Sequence, residues 1–210
     1  DFYVSRGGEG QWSLAEPLDR KVNSDGNEGA LCISADGNVA IFTACEREDG
    51  QGSCDLYMTI KSQGGWGEPF NLGYPINTEA WESQPSLSPD GRTIYFTSSR
   101  RGGFGGKDLW SSTYKGKGAW GEPVNLGDSI NTKGDEITPF MHWDGRSLYF
   151  ASTGHPGIGE FDMYRSLRLD EQLWSTPQNL GYPINSVREE NGLIVAPDGK
   201  TAYYARAGYE

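Results

Sequence analysis

The feature that most constrains this chain is a period of 54 residues. Asp-Gly pairs stand at Asp36-Gly37, Asp90-Gly91, Asp144-Gly145 and Asp198-Gly199. Asn23, Asn77, Asn131 and Asn185 keep the same spacing, as do Glu28, Glu82, Glu136 and Glu190, and Trp12, Trp66, Trp120 and Trp174. A fixed period of this size means one supersecondary unit, copied and stacked. It also separates two kinds of residue. Those shared by every copy mostly hold the fold together, and those that break the pattern are the better candidates for a specific job.

The second copy shows the unit. Glu82 to Ser88 leads into Pro89-Asp90-Gly91-Arg92, a tight-turn signal. Thr93 to Ser98 alternates, with Ile94 and Phe96 on one face and Tyr95 and Thr97 on the other. A glycine-rich loop, RRGGFGGK, precedes a third strand at Asp108-Leu109-Trp110-Ser111, and Trp120 to Leu126 reads as a fourth. Four short antiparallel strands and a long crossing loop are the signature of a propeller blade. The first strand is apolar on both faces in other copies (Ala30-Leu31-Cys32-Ile33 and Gly192-Leu193-Ile194-Val195), which suits an innermost strand. The outer strands, with Trp, Tyr and charge, are expected near solvent.

The expected fold is therefore an all-β propeller of four-stranded antiparallel blades in a single domain over residues 1–210. Its repeats span about 1–54, 55–107, 108–161 and 162–210. The chain opens with the third and fourth strands of a blade and ends after a first and second. Joined, these halves make four blades and hide two raw sheet edges. The alternative is part of a ring of five or more.

The ladder Ser-Pro-Asp-Gly-Arg-Thr-x-Tyr-Phe-x-Ser, then Asp-Leu-Tyr, then Trp-Gly-Glu-Pro-x-Asn-Leu-Gly, resembles the TolB-type, WD-like propeller repeat over the whole chain. It is similar to copies in envelope proteins of Bacteroidetes-type bacteria. There the propeller often accompanies a helical repeat and an OmpA-like peptidoglycan-binding domain, as in a type IX secretion component. The resemblance implies a periplasmic or outer-membrane-associated scaffold for an envelope protein or peptide. No OmpA-like segment is present, so peptidoglycan would be reached only through a flanking domain.

Composition narrows the partners. A net charge of −11 and the lack of a basic stripe exclude a nucleic-acid backbone. No apolar run is long enough to cross a membrane, so direct insertion is not expected. No signal peptide or lipidation motif is visible, and the chain begins inside a strand-like segment, Asp1 to Ser5, as a mature or excised piece would. Cys45 and Cys54 flank one loop. If the strands on either side pair, a disulfide follows, and the alternative is two reduced thiols. Cys32 reads as a small core residue.

Pattern-breaking residues gather in loops that the strand order places on one face. Trp81 stands where other copies have Asn27, Asp135 and Glu189. Arg100, Arg101 and Lys107 make one loop basic, and His155 occupies the corresponding loop of the third copy. An exposed Trp with nearby Arg is a typical binding anchor. The competing reading packs Trp81 on a neighbouring blade and pairs the bases with local acids. His142 and Trp143, on the opposite face, read as structural or as a minor contact. Glu28, Glu82, Glu136 and Glu190 could converge at the channel mouth and hold calcium, which prefers oxygen ligands. Alternatively each braces its own repeat, as the repeated Asp1, Asp55, Asp108 and Asp162 are expected to do. No cofactor is otherwise implied.

An enzyme is not expected. No nucleophile elbow is present, the two histidines fall on opposite faces, and nearly every acid recurs with the repeat, whereas a catalytic pair should be asymmetric. The rivals to a protein-binding scaffold are a carbohydrate or peptidoglycan-fragment binder, stacking on Trp81 and Tyr, and a glycoside hydrolase-like propeller.

Overall fold

The structure, a computed structural model, describes residues 1–8 and 10–208. It contains three complete blades. The first is built from Asn27–Ile33, Val39–Cys45, Cys54–Ser62, Gly65–Trp66 and Phe70–Asn71. The second uses Glu82–Leu87, Thr93–Ser98, Asp108–Gly116, Ala119–Trp120 and Val124–Asn125. The third uses Glu136–Met141, Ser147–Ser152, Asp162–Asp170, Leu173–Trp174 and Gln178–Asn179. Each is an antiparallel sheet in which the third strand carries both outer segments. Glu190–Val195 and Ala202–Arg206 form the inner half of a further blade, and Tyr3–Val4 pairs with Glu16–Pro17 as an outer half before the first.

The fourth strand differs from expectation. Trp120 to Leu126 splits into Ala119–Trp120 and Val124–Asn125, both paired with Asp108–Gly116. Pro123 has no N–H for the ladder, which breaks the run there.

The core lies between blades. Ile41 and Leu56 of the first blade cluster with Ile94, Phe96, Trp110 and Trp120 of the second. Tyr95 and Leu109 of the second cluster with Phe150, Tyr164 and Trp174 of the third. The repeated tryptophans Trp66, Trp120 and Trp174 are thus buried, not near solvent as expected. Each covers the preceding blade, because a thin sheet can bury its apolar faces only against its neighbours.

The two half-blades do not merge. Tyr3–Val4 and Ala202–Arg206 belong to separate two-stranded sheets, so the expected closure of the last blade by the N-terminal strands is not formed among the described residues. Each half is held by its own neighbour. Phe2, Leu18 and Val22 pack against Phe42 and Tyr57, while Leu193 and Val195 pack against Ile137 and Met163. Across the seam the rings of Trp12 and Tyr203 meet edge to face, 6.3 Å between centroids.

Candidate functional site

The innermost strands pair with the second strands so that Glu82 lies opposite Ser98, and the third strand brings Asp108 to the same end. Crossing loops and glycine-rich loops therefore share one face, and the Asp-Gly turns occupy the other.

On the loop face three repeated side chains fix the backbone. Asn77 accepts from the Leu56 N–H at 2.9 Å and donates to the Leu56 carbonyl at 2.9 Å. Asn131 does the same to Leu109, and Asn185 to Met163. A side-chain amide here stands in for a missing strand and satisfies both backbone groups. The Asp108 carboxylate accepts from the N–H groups of Phe104 at 2.6 Å and Gly105 at 3.0 Å, and Asp162 holds Ile158 and Gly159 in the same way.

The glutamates do not converge. Glu82 accepts from the Thr78 N–H and hydroxyl at 2.8 Å each, and from the Ser98 hydroxyl at 2.7 Å. Glu136 repeats this with Thr132 and Ser152. Glu190 is bonded to Ser186 and Arg206, and Glu28 to Ser24 and Arg47. Burial works against the charge on Glu28, but the bonds from Ser24 and Arg47 outweigh it and hold its carboxyl below the ordinary value. Among the described residues no three His, Cys, Asp or Glu side chains are grouped to hold a metal ion. Each carboxylate of the candidate channel-mouth calcium set, Glu28, Glu82, Glu136 and Glu190, is bonded within its own turn.

Arg100 and His155 also belong to this brace. The Arg100 guanidinium donates to the carbonyls of Pro75 and Ile76, pairs with Glu82 at 3.3 Å, and lies over the rings of Phe96 and Trp110. Burial pulls its basicity down, and Glu82 opposes that. Arg206 reaches the carbonyls of Pro183 and Ile184 and pairs with Glu190. In the third blade His155 Nε2 donates to the Ile130 carbonyl at 2.8 Å, the place equivalent to Ile76. The same spot is filled from different offsets, 19 residues after the glutamate for Arg47 and 16 for Arg206. Arg100 comes 18 residues after Glu82, so its offset hides it, whereas His155 keeps the offset of Arg47, 19 residues after Glu136, and differs in residue type.

The other loop residues differ in exposure, with Trp81 and Lys107 half-buried. Lys107 Nζ sits 4.7 Å above the Trp81 ring, beside the Cys45–Cys54 disulfide that the paired strands bring together. Arg101 and Phe104 are exposed in the adjoining loop. Phe104 and Ile158 occupy the middle of Gly-x-Gly triplets whose backbone the buried aspartates hold. Sequence reasoning missed these two, although the repeated Gly-x-Gly before each Asp marks them.

A cavity of about 720 Å³ lies among the four innermost strands, in the half toward the Asp-Gly turns. Each strand bulges at one repeated position, where Ala30, Gln84, Thr138 and Gly192 all take positive φ. Left-handed backbone at three non-glycine residues needs support. Blade-to-blade bonds supply it at Gln84 and Thr138, and one also reaches Gly192: Gln84 N–H donates to the Thr43 hydroxyl, Thr138 N–H to Gln84 Oε1, and Gly192 N–H to the Thr138 hydroxyl. Trp143, read from sequence as structural or as a minor contact, lines the cavity and is 37% exposed.

No protein-family model matches this chain, and no curated protein sequence matches it. Solved structures do. A TolB-type protein of Agrobacterium tumefaciens superposes with a TM-score of 0.61 at 18% identity, over 98% of this chain and 63% of its own. TolB of Acinetobacter baumannii gives 0.59 at 14%, over 85% of this chain and 37% of its own. A puromycin-hydrolyzing peptidase of Mycobacterium tuberculosis gives 0.51 at 16%, over 94% and 34%. The fold is a TolB-like β-propeller, and the chain spans 37% and 63% of the two TolB structures. At these identities the likeness shows the fold alone.

Proposed function

We propose that this chain is a non-catalytic interaction module of a bacterial cell envelope that holds a protein or peptide partner on its loop-bearing face. One observation carries the reading. Buried Asn, Asp and Glu side chains lock the loop backbone in every blade, while the residues presented there differ from copy to copy. A rigid frame displaying variable side chains loses little ordering entropy on binding. The displayed set with binding character is Trp81 under Lys107, with exposed Arg101 and Phe104, a basic and aromatic patch on an acidic body. The TolB-like fold is consistent with an envelope setting, and the Cys45–Cys54 disulfide suits an oxidising compartment such as the periplasm. Absence of catalysis is supported by the glutamates and His155 being tied to the frame. Peptidoglycan contact and a place in a secretion complex would come through flanking domains.

The test is a pull-down from detergent-solubilised envelope with the parent and a Trp81→Ala, Arg101→Ala, Phe104→Ala, Lys107→Ala version. Arg100 is left in place because it braces the fold. A protein captured by the parent and lost by the variant is the expected outcome. Equal capture by both baits would refute this face. The exposed rings of Tyr74 and Tyr182 favour one second reading, glycan stacking. Soluble glycan binding abolished by Tyr182→Ala would put that reading first.

A further inference from the structure

The cavity on the axis is chemically unlike the rest of the molecule. The chain carries 18 basic and 29 acidic residues, yet none of the cavity's lining residues is charged. Its wall is built from Leu31, Ile33, Leu87, Phe140, Met141 and Ile194, with the Trp143 ring at the rim. The polar side chains in the wall are already engaged. Gln84 Oε1 accepts from the Thr138 N–H and the Thr97 hydroxyl, and the Ser86 hydroxyl accepts from the Met141 N–H. Thr138 is bonded to Gly192, Asn191 donates to Glu189, and Ser34 and Ser88 are bound to the turn aspartates. The wall thus offers few free side-chain partners to an ion or a sugar, whose desolvation would go uncompensated. Its volume falls within the range of small-molecule sites.

We infer that this cavity is a binding site for a neutral, apolar small molecule, seated between the bulged inner strands and covered at the turn end by Trp143. The site lies on the other side of the fold from the Trp81 patch, so it stands independently of the protein-binding reading. The bulges support it physically. A bulge re-aims side chains and interrupts regular pairing, and here the repeated bulges stand at one level around the axis.

Titration of the full chain with Nile red, a neutral apolar dye, tests the inference by fluorescence. Ile33→Glu and Ile194→Glu place a carboxylate on the wall at positions 44% and 51% exposed, where the fold can tolerate one. Trp143→Ala removes the cover, and Trp81→Ala serves as the distant control. Circular dichroism melts check that each variant is folded. Saturable one-to-one binding is expected, weakened about tenfold or more by each glutamate, reduced by Trp143→Ala and unchanged by Trp81→Ala (a tenfold change being about 1.4 kcal/mol). Binding that never saturates, or that all folded cavity variants retain, would overturn the inference.

Discussion

At the residue scale, the Asp-Gly turn shows how one substitution changes the balance. In the second blade the Ser88 hydroxyl donates to Asp90 at 2.6 Å and accepts from the Thr93 N–H at 2.9 Å. The third blade has His142 in place of that serine, and Asp144 instead accepts from the N–H groups of Arg146 and Ser147 and from the Ser147 hydroxyl. Partial burial opposes ionisation of Asp144, but these bonds, with His142 3.3 Å away, outweigh it and hold the carboxyl far below the usual carboxylate range. A value lowered by folding means stability present above the unfolded value, about 4, and lost as the pH falls through the folded one. Asp144→Asn should therefore melt roughly 2–4 °C below the parent at neutral pH. The deficit should shrink as thermal melts are taken further below about pH 4. A deficit that does not change with pH would show that the charge is not its source.

At the element scale, the Gly-x-Gly loops work because backbone meets backbone. A Cβ on Gly105 would lie 1.9 Å from the Gly134 carbonyl oxygen, and one on Gly159 2.1 Å from that of Arg188. Gly64 has open space around it. Gly105→Ala should cost about 1–3 kcal/mol in urea unfolding, as overpacking does. Gly64→Ala should stay within about 0.5 kcal/mol of the parent. Equal effects would mean that loop entropy, not the close approach, decides. The second strand at Thr93–Ser98 was legible from its alternation, and the pairing of Cys45 with Cys54 from the hairpin around them. The brace role of Arg100 and His155 was not. Arg100 reaches the spot from a shifted offset and His155 brings a different side chain to it, and spacing cannot report a three-dimensional coincidence.

At the scale of the whole molecule, stability resides between blades. Trp174 is buried in a cluster that joins Tyr95, Leu109, Leu126 and Ile130 of the preceding blade and its crossing loop to Met141, Leu148, Phe150 and Tyr164 of its own blade. Trp174→Ala should cost about 3–5 kcal/mol. Because that contact couples two blades, unfolding followed by two probes should also lose coincidence. Retained two-state unfolding at nearly parental stability would show that blades hold together without it.

The period alone determined that this chain is a stack of like blades, since a unit of four short strands cannot bury its apolar faces unaided. It also marked the asparagines, aspartates and glutamates as frame, because every copy needs its loop backbone satisfied in the same way. Tertiary structure decided the rest. Whether four glutamates meet, whether two half-blades merge, and which side chains stay free depend on distances between segments far apart in sequence. The uncharged cavity is the plainest case: its wall takes short, unremarked runs from four copies, and only their arrangement around an axis makes them one surface.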